Sequence, residues 1–249
     1  MTTALAASPR PRYSTTYLRL EVRRLLRNRR TVVFTVVMPV VFFLIFGANL
    51  PQPEAKAYVM ISLAVYGAMV AATSAGAAVA VERASGWSRQ LRLTPMRPAS
   101  YVVTKLATAV VLALLPVAVE FVLGAAMGAR MGAGDWLVAG AVAWLGSLVF
   151  AAFGLAMGYL LPSENTMQVL GPVLAVLAML GGLFVPLSVL GATMRHVAEF
   201  TPAYGVGVLA RHPLGGDGSV LGAAVNVATW TVLFAVGAAL LFRRDTARV

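Results

Sequence analysis

The sequence predicts an all-α membrane protein of six transmembrane helices, with an N-terminal amphipathic interfacial helix and an outer re-entrant hairpin between spans five and six. Three observations lead there. Hydrophobic residues make up 59% of the chain and charged residues 12%, and mean hydropathy is +0.82, which leaves too little polar side chain to cover a water-facing globule. Six apolar stretches, 31–50, 57–81, 102–128, 136–161, 166–186 and 219–242, each approach the 20 or so residues that a helical crossing needs. The alternation of a transmembrane barrel strand is missing, so the backbone groups of these stretches must be satisfied within helices.

The first element, Tyr13 to Arg30, reads as a helix. Tyr17, Leu18, Val22, Leu25 and Leu26 recur at helical spacing, while Arg19, Arg23, Arg27 and Arg30 take another face. Beside a membrane span, such a helix is expected to lay its apolar stripe in the acyl boundary and turn its guanidinium groups to anionic headgroups. It serves either as a topology anchor or as a brace for a cytoplasmic partner. Residues 1–30 therefore form a cytoplasmic tail and interfacial helix, and 31–249 the membrane domain. The run beginning at Thr31 is too long and too far from the N-terminus for a signal-peptide core, so the first span is expected to stay.

The net charge of +11 would suggest nucleic acid in a soluble protein, but the charges are sorted by membrane side. Arg10, Arg12, Arg19, Arg23, Arg24, Arg27, Arg29 and Arg30 precede span one. Arg83, Arg89, Arg92, Arg97 and Lys105 surround the connection after span two, and Arg243, Arg244 and Arg248 follow span six. The remaining connections hold only Lys56, Arg130, Arg195 and Arg211. The basic excess marks the cytoplasmic side, so both termini and the 82–105 island lie inside, and no nucleic-acid partner is expected. The turn Pro162-Ser163-Glu164-Asn165 falls on the same side without a basic residue.

Within the spans, Pro39, Pro116 and Pro172 are expected to kink or locally unwind their helices, which neighbours can repair. Gly124 with Gly128, and Gly154 with Gly158, have the spacing that lets helix backbones approach. Span three carries one ionisable residue, Glu120, at a depth similar to Asn226 of span six. A carboxylate there is normally turned inward, protonated or paired. It reads either as a packing residue, hydrogen-bonded to Asn226 if the helices are neighbours, or as the lining of a polar cavity facing a substrate. After span five, 181–219 is too apolar for an open loop and too rich in Gly and Pro for a full crossing. Leu187, Val189, Leu190, Val197 and Phe200 would cover one face of short helices that dip into the outer leaflet, or form a small extracellular cap.

The search for chemistry excludes several classes. The histidines, His196 and His212, fall on the outer side without a His-Glu-x-x-His pattern, and the chain has no cysteine. The pair Ser85-Gly86 lies in the charged loop, away from the depth an intramembrane serine protease would use. Lys56 and Lys105 are the lysines, and neither follows a glycine, so no P-loop is present. Nucleotide-driven work would need a separate subunit, with ATP and Mg bound there and no cofactor on this chain.

The island ERASGWSRQLRLTPMRPASYVVTK spans Glu82 to Lys105. A short helix over Ser85 to Leu93 would set Trp87 and Leu91 on one face with Arg89 and Arg92 at its flanks, ended by Thr94-Pro95. An aromatic and apolar centre rimmed by arginines suits a small docking site, and a solvated basic loop is the alternative. This loop, the basic N-terminal helix, six spans and the later GGLFVPLSVL…FTPAYGVGVLAR together resemble the membrane subunits of ABC-2 type exporters, in particular the bacterial drug and antibiotic efflux branch. The resemblance covers essentially the whole chain and implies a type V ABC exporter-like fold. It implies that Glu82, Arg83, Gly86, Leu91, Thr94 and Pro95, in the 82–101 coupling loop, belong to the coupling helix that docks on the ATPase. Arg89 stands where many members carry glutamate, which implies an acidic complement on the ATPase. The resemblance also associates span five and the outer hairpin, here Gly181, Gly182, Pro186, Pro202 and Tyr204, with the dimer interface and outer gate.

The expectation is a permease subunit without enzymatic activity of its own, in a bacterial plasma membrane. Two copies, or one copy with a similar partner, would form the path among membrane lipids, with two soluble ATPase subunits beneath. A hydrophobic or amphipathic substrate would move outward. The alternatives are a self-contained channel or ion-coupled secondary transporter using Glu120, and a non-transporting immunity or sensor subunit.

Overall fold

The computed structural model describes residues 15–86, 98–189, 191–215 and 218–247, and among these the only regular elements are helices. Helix α1 covers Thr15–Leu26, and its inward stripe includes Leu25 and the carboxylate Glu21. This stripe packs against α6 (Pro98–Ala126), whereas Leu20 and Leu26 are exposed on the outside of the bundle. The first apolar run is continuous but uneven: α2 (Arg29–Val32), a π turn Val33–Val37, α3 (Met38–Phe42) and a second π turn Phe43–Gly47. Pro39 has no N–H to donate, and the hydrogen-bond ladder is re-spaced on either side of it.

Helices α4 (Pro53–Ala77) and α5 (Val79–Ala84) run nearly end to end, and α4 is the axis of the molecule. Its apolar stretch is 72% buried, because α6, α8 (Ser147–Leu160), the first run, α9 (Thr166–Leu180) and α11 (Pro202–Arg211) all pack on it. Lipid tails are as apolar as leucine, so close van der Waals fit has to hold such helices together. Gly154 supplies that fit, since a Cβ there would lie 2.3 Å from the Thr73 carbonyl oxygen, and Gly158 meets the Ala77 backbone similarly. Gly124 abuts Met60 on α4, but Gly128 does something else: its φ of +89° ends the α6 region instead of packing a helix.

Helix α7 (Ala133–Leu145) and α8 form one apolar run interrupted at Gly146, against which Val206 presses. The long α12 (Val220–Ala247) is the least enclosed of the long apolar helices, with 11% of its apolar stretch buried. Among the described residues, four helices are long and apolar enough to cross a bilayer, Pro53–Ala84, Ser100–Ala126, Ala133–Leu160 and Val220–Asp245. Val33–Gly47 and Thr166–Leu180 are shorter apolar helices.

Between α9 and α12 lie a tight turn at Gly181-Gly182, a 3-10 turn Leu187–Val189, α10 (Ala192–Glu199) and α11. Of the apolar residues expected to cover one face here, Leu187 is buried within the protein, Val189, Val197 and Phe200 are exposed, and Leu190 lies outside the described residues. Helix α11 is the enclosed part. Its Arg211 guanidinium is buried against α4, donating to Ser62 Oγ at 3.1 Å and lying over the Tyr58 ring.

Candidate functional site

The chain's buried charge is concentrated where α1, α5 and α6 meet. Lys105 on α6 is completely enclosed, and its ammonium donates to both Glu21 on α1 and Glu82 on α5. Arg24 reaches the same two carboxylates, lying 2.7 Å from Glu21, and the Tyr101 hydroxyl donates to the other oxygen of Glu82. Two carboxylates and two cations balance, which is the condition for keeping ions out of water. Burial works against the charge of Arg24, but Glu21 and Glu82 outweigh it and hold its pKa above the ordinary arginine value.

Arg83, the neighbour of Glu82, points to the opposite side. It pairs with Asp245 near the end of α12 at 2.8 Å and donates to the Gly158 and Tyr159 carbonyls at 3.2 and 2.9 Å. Those carbonyls belong to the last turn of α8, where helical acceptors lack an intrahelical donor. The Glu82-Arg83 dipeptide therefore fastens α5 to α1 and α6 on one flank and to α8 and α12 on the other. Glu82 is 2% exposed, so its carboxylate faces this network and not a partner surface.

Of the helix expected over Ser85 to Leu93, the described residues are Ser85 and Gly86, which form a turn. Helix α5 stops at Ala84, and Gly86 turns the chain with φ +73°, a conformation that suits glycine. Trp87, Arg89, Leu91, Arg92, Thr94 and Pro95 lie outside the described residues. The fastened ends of α5 and α6 are thus the anchors from which residues 87–97 are carried.

A cleft of about 670 Å³ opens on the other side of α4, between the first apolar run and α9. Phe34, Met38, Val70 and Leu174 give it apolar walls, and Asn28, Ser74 and Gln168 supply polar groups at the basic end of the bundle. Toward the opposite end, the rings of Phe42, Tyr66 and Phe184 meet edge to face. Phe184 is 4.8 Å from Tyr66 and 5.9 Å from Phe42, measured between centroids.

Glu120 is not part of this cleft. It is 1% exposed, and neither carboxylate oxygen accepts a hydrogen bond. Pro116 and Gly124, one turn to either side on α6, contact Gly67 and Met60, so Glu120 shares the face turned to α4. The suggested Glu120–Asn226 bond is not made. The Asn226 amide donates instead to the Glu199 and Thr201 carbonyls, at 2.7 and 3.1 Å, where the chain passes between α10 and α11.

Of the outer residues, Gly181 abuts Ala203 and the Tyr204 backbone, which joins the end of α9 to α11. Gly182 turns with φ +75° over Leu187. Pro202 is the buried first residue of α11, Tyr204 is half-buried, and Pro186 is exposed. Sequence reasoning missed the roles of Glu21, Tyr101 and Lys105 as a buried network. A signal was present: Glu21 is the lone carboxylate before Glu54, set among arginines.

Residues 15–211 match the family described as ABC-2 type transporter. The chain is also 27% identical over 194 residues to a protein of Bacillus subtilis (strain 168) named "Putative transport permease YvfS", covering 75% of this chain and 79% of the relative.

Proposed function

The chain belongs to the ABC-2 type transporter family, and on that premise we propose that it is the membrane subunit of an ATP-driven exporter. As a transport permease, it works with an ABC ATPase, which the family implies. In our reading two copies of this chain, or one with a similar chain, enclose the path, and two ATPases with bound ATP and Mg dock beneath. The membrane is a bacterial plasma membrane, with both termini in the cytoplasm.

Six crossings fit this reading. The first helical run extends over 29–47 when α2 is included, roughly 25–28 Å at helical rise and close to the hydrocarbon thickness. Helix α9 is the shorter one, and its continuation through Phe184 to α11 forms the outer hairpin.

The observation that carries the proposal is the buried Lys105 bridge between Glu82 and Glu21. An ATPase pushing on residues 87–97 needs a stiff lever, and a loop whose ends are pinned to each other and to three other helices transmits displacement. Trp87, Leu91, Arg89 and Arg92 are the docking side chains in this reading, and Glu82, Arg83 and Gly86 position them. Movement of α5 and α6 reaches the cleft through α4, narrows it, and drives a hydrophobic or amphipathic substrate outward past the Phe42–Tyr66–Phe184 rings. Efflux of a drug-like or antibiotic compound is the form we favour.

The test is co-expression with an ABC ATPase from the same organism. Stable co-purification and stimulation of ATP hydrolysis by the permease are expected. A permease that transports without any ATPase would instead establish the channel or secondary-transporter alternative.

A further inference from the structure

We infer that the cleft between the first apolar run and α9 selects amphiphiles with an uncharged, hydrogen-bonding head and discriminates against permanent cations; this rests on the export reading above. The cleft's size is that of a small-molecule site, since such pockets run to roughly 300–1,000 Å³. Its chemistry is unevenly placed. Ser74 and Gln168 sit at the basic end, and neither side chain is engaged by another described residue. Apolar side chains line most of the remainder as far as Tyr66, whose ring meets Phe184, which in turn meets Phe42. An amphiphile enters with its head against Ser74 and Gln168 and its tail toward those rings, the orientation it has in the inner leaflet.

Charge decides the head. Among the described residues lining the cleft, no carboxylate is present, and the Tyr66 phenol is the sole ionisable group. Arg27 and Arg29 are exposed on either side of Asn28, at the same end of the cleft. A quaternary ammonium placed there leaves water without gaining a counter-charge from any lining residue, and burying an unpaired ion is costly. A hydroxyl or amide head exchanges its water for the Ser74 hydroxyl and the Gln168 amide. Selection here therefore comes from what the wrong head lacks as much as from what the right head gains.

The experiment uses the full chain in phosphatidylcholine nanodiscs, with signal from empty nanodiscs subtracted. Two dansyl-alkyl probes of equal chain length are titrated, one ending in a hydroxyl and one in trimethylammonium. The hydroxyl probe is expected to bind about tenfold more tightly or better. Gln168→Glu, isosteric and on an exposed residue, is expected to bring the two affinities to within about twofold, and Ser74→Val is expected to weaken the hydroxyl probe alone. If the ammonium probe binds equally or better while Gln168→Glu still shifts the ratio, head selection is overturned and the cleft remains the substrate site. If neither variant changes either affinity, or neither probe binds, the inference falls together with the cleft's role in export. Co-purification with the ATPase then decides separately whether the export reading survives.

Discussion

Lys105 is wholly enclosed and donates its ammonium to Glu82, 23 residues earlier, across the base of the segment that joins α5 to α6. The same nitrogen reaches Glu21, so one buried cation ties the helix preceding the first span to both flanks of that segment. Arg24 is about half exposed and shares the same carboxylates, but it lacks the central position.

Removing that cation leaves two buried carboxylates with one solvent-reaching partner. Breaking a buried pair from one side costs about 3–5 kcal/mol, since the remaining charge stays uncompensated. Lys105→Met is therefore expected to lower the thermal midpoint of the detergent-solubilised protein and abolish stimulation of the ATPase. Adding Glu82→Gln and Glu21→Gln to Lys105→Met is expected to recover most of the stability. Additive losses in that series would show that the three groups do not act as one network.

Arg83 works on the opposite flank with a weaker hold. Its pair with Asp245 is partly exposed, with the two side chains 30% and 27% accessible, so solvent screens it. Its bonds to the Gly158 and Tyr159 carbonyls are charge-assisted. Together these support a loss of about 1–2 kcal/mol for Arg83→Ala. Asp245→Ala is expected to cost less, because the two carbonyl bonds remain. Equal losses from both variants, measured by thermal unfolding, would assign the effect to the ion pair alone.

Four of the expected spans were legible because a bilayer reduces the problem to length and polarity, and the first and fifth stretches form shorter apolar helices. Where residues 53–84 pass from apolar to charged, the reading placed the end near 81 and the helix continues to Ala84. Chain geometry beyond length was less visible. The break at Gly146 depends on Val206, which lies 60 positions later, and no local pattern encodes that approach. Glu82 was placed in the docking loop by the family resemblance, which carries no information on burial. Its burial required knowing that Lys105 and Glu21 converge on it, a three-way meeting that periodicity does not reveal. Gly128 and Gly124 share a spacing but have different jobs, one turning the chain and the other fitting against Met60.

Trp87→Ala and Arg89→Glu are expected to leave membrane insertion and purification yield unchanged. Both should reduce permease-stimulated ATP hydrolysis and export by tenfold or so, within the range for an interface anchor. Stimulation at the wild-type level in both variants would remove residues 87–97 from the docking role.

Gly154 tests the α4–α8 contact with a single methyl group. A Cβ there would lie 2.3 Å from the Thr73 carbonyl oxygen and 2.8 Å from its Cα, and backbone atoms cannot rotate away. Gly154→Ala is expected to cost about 1–3 kcal/mol through forced separation of the helices. Gly171→Ala on α9, with no atom within 4 Å of its Cβ position, is expected to be near neutral in the same unfolding assay. A tolerated Gly154→Ala would place the helices farther apart than this packing has them.

Glu120 is the buried acid that the Lys105 network does not reach. Both its oxygens lack a donor, and its α6 face is packed on α4 away from the cleft. An unsatisfied buried polar group costs about 1–3 kcal/mol, and an apolar side chain of similar volume removes that cost. Glu120→Leu is therefore expected to raise the thermal midpoint while export and ATPase stimulation stay at wild-type levels. Glu120→Gln keeps the shape and the polar atoms, so it should gain little stability. If Glu120→Leu abolishes export at equal expression while Glu120→Gln preserves it, a polar group on this face takes part in transport. If both abolish export, the ionisable proton itself is required, and the ion-coupled alternative gains its first direct support.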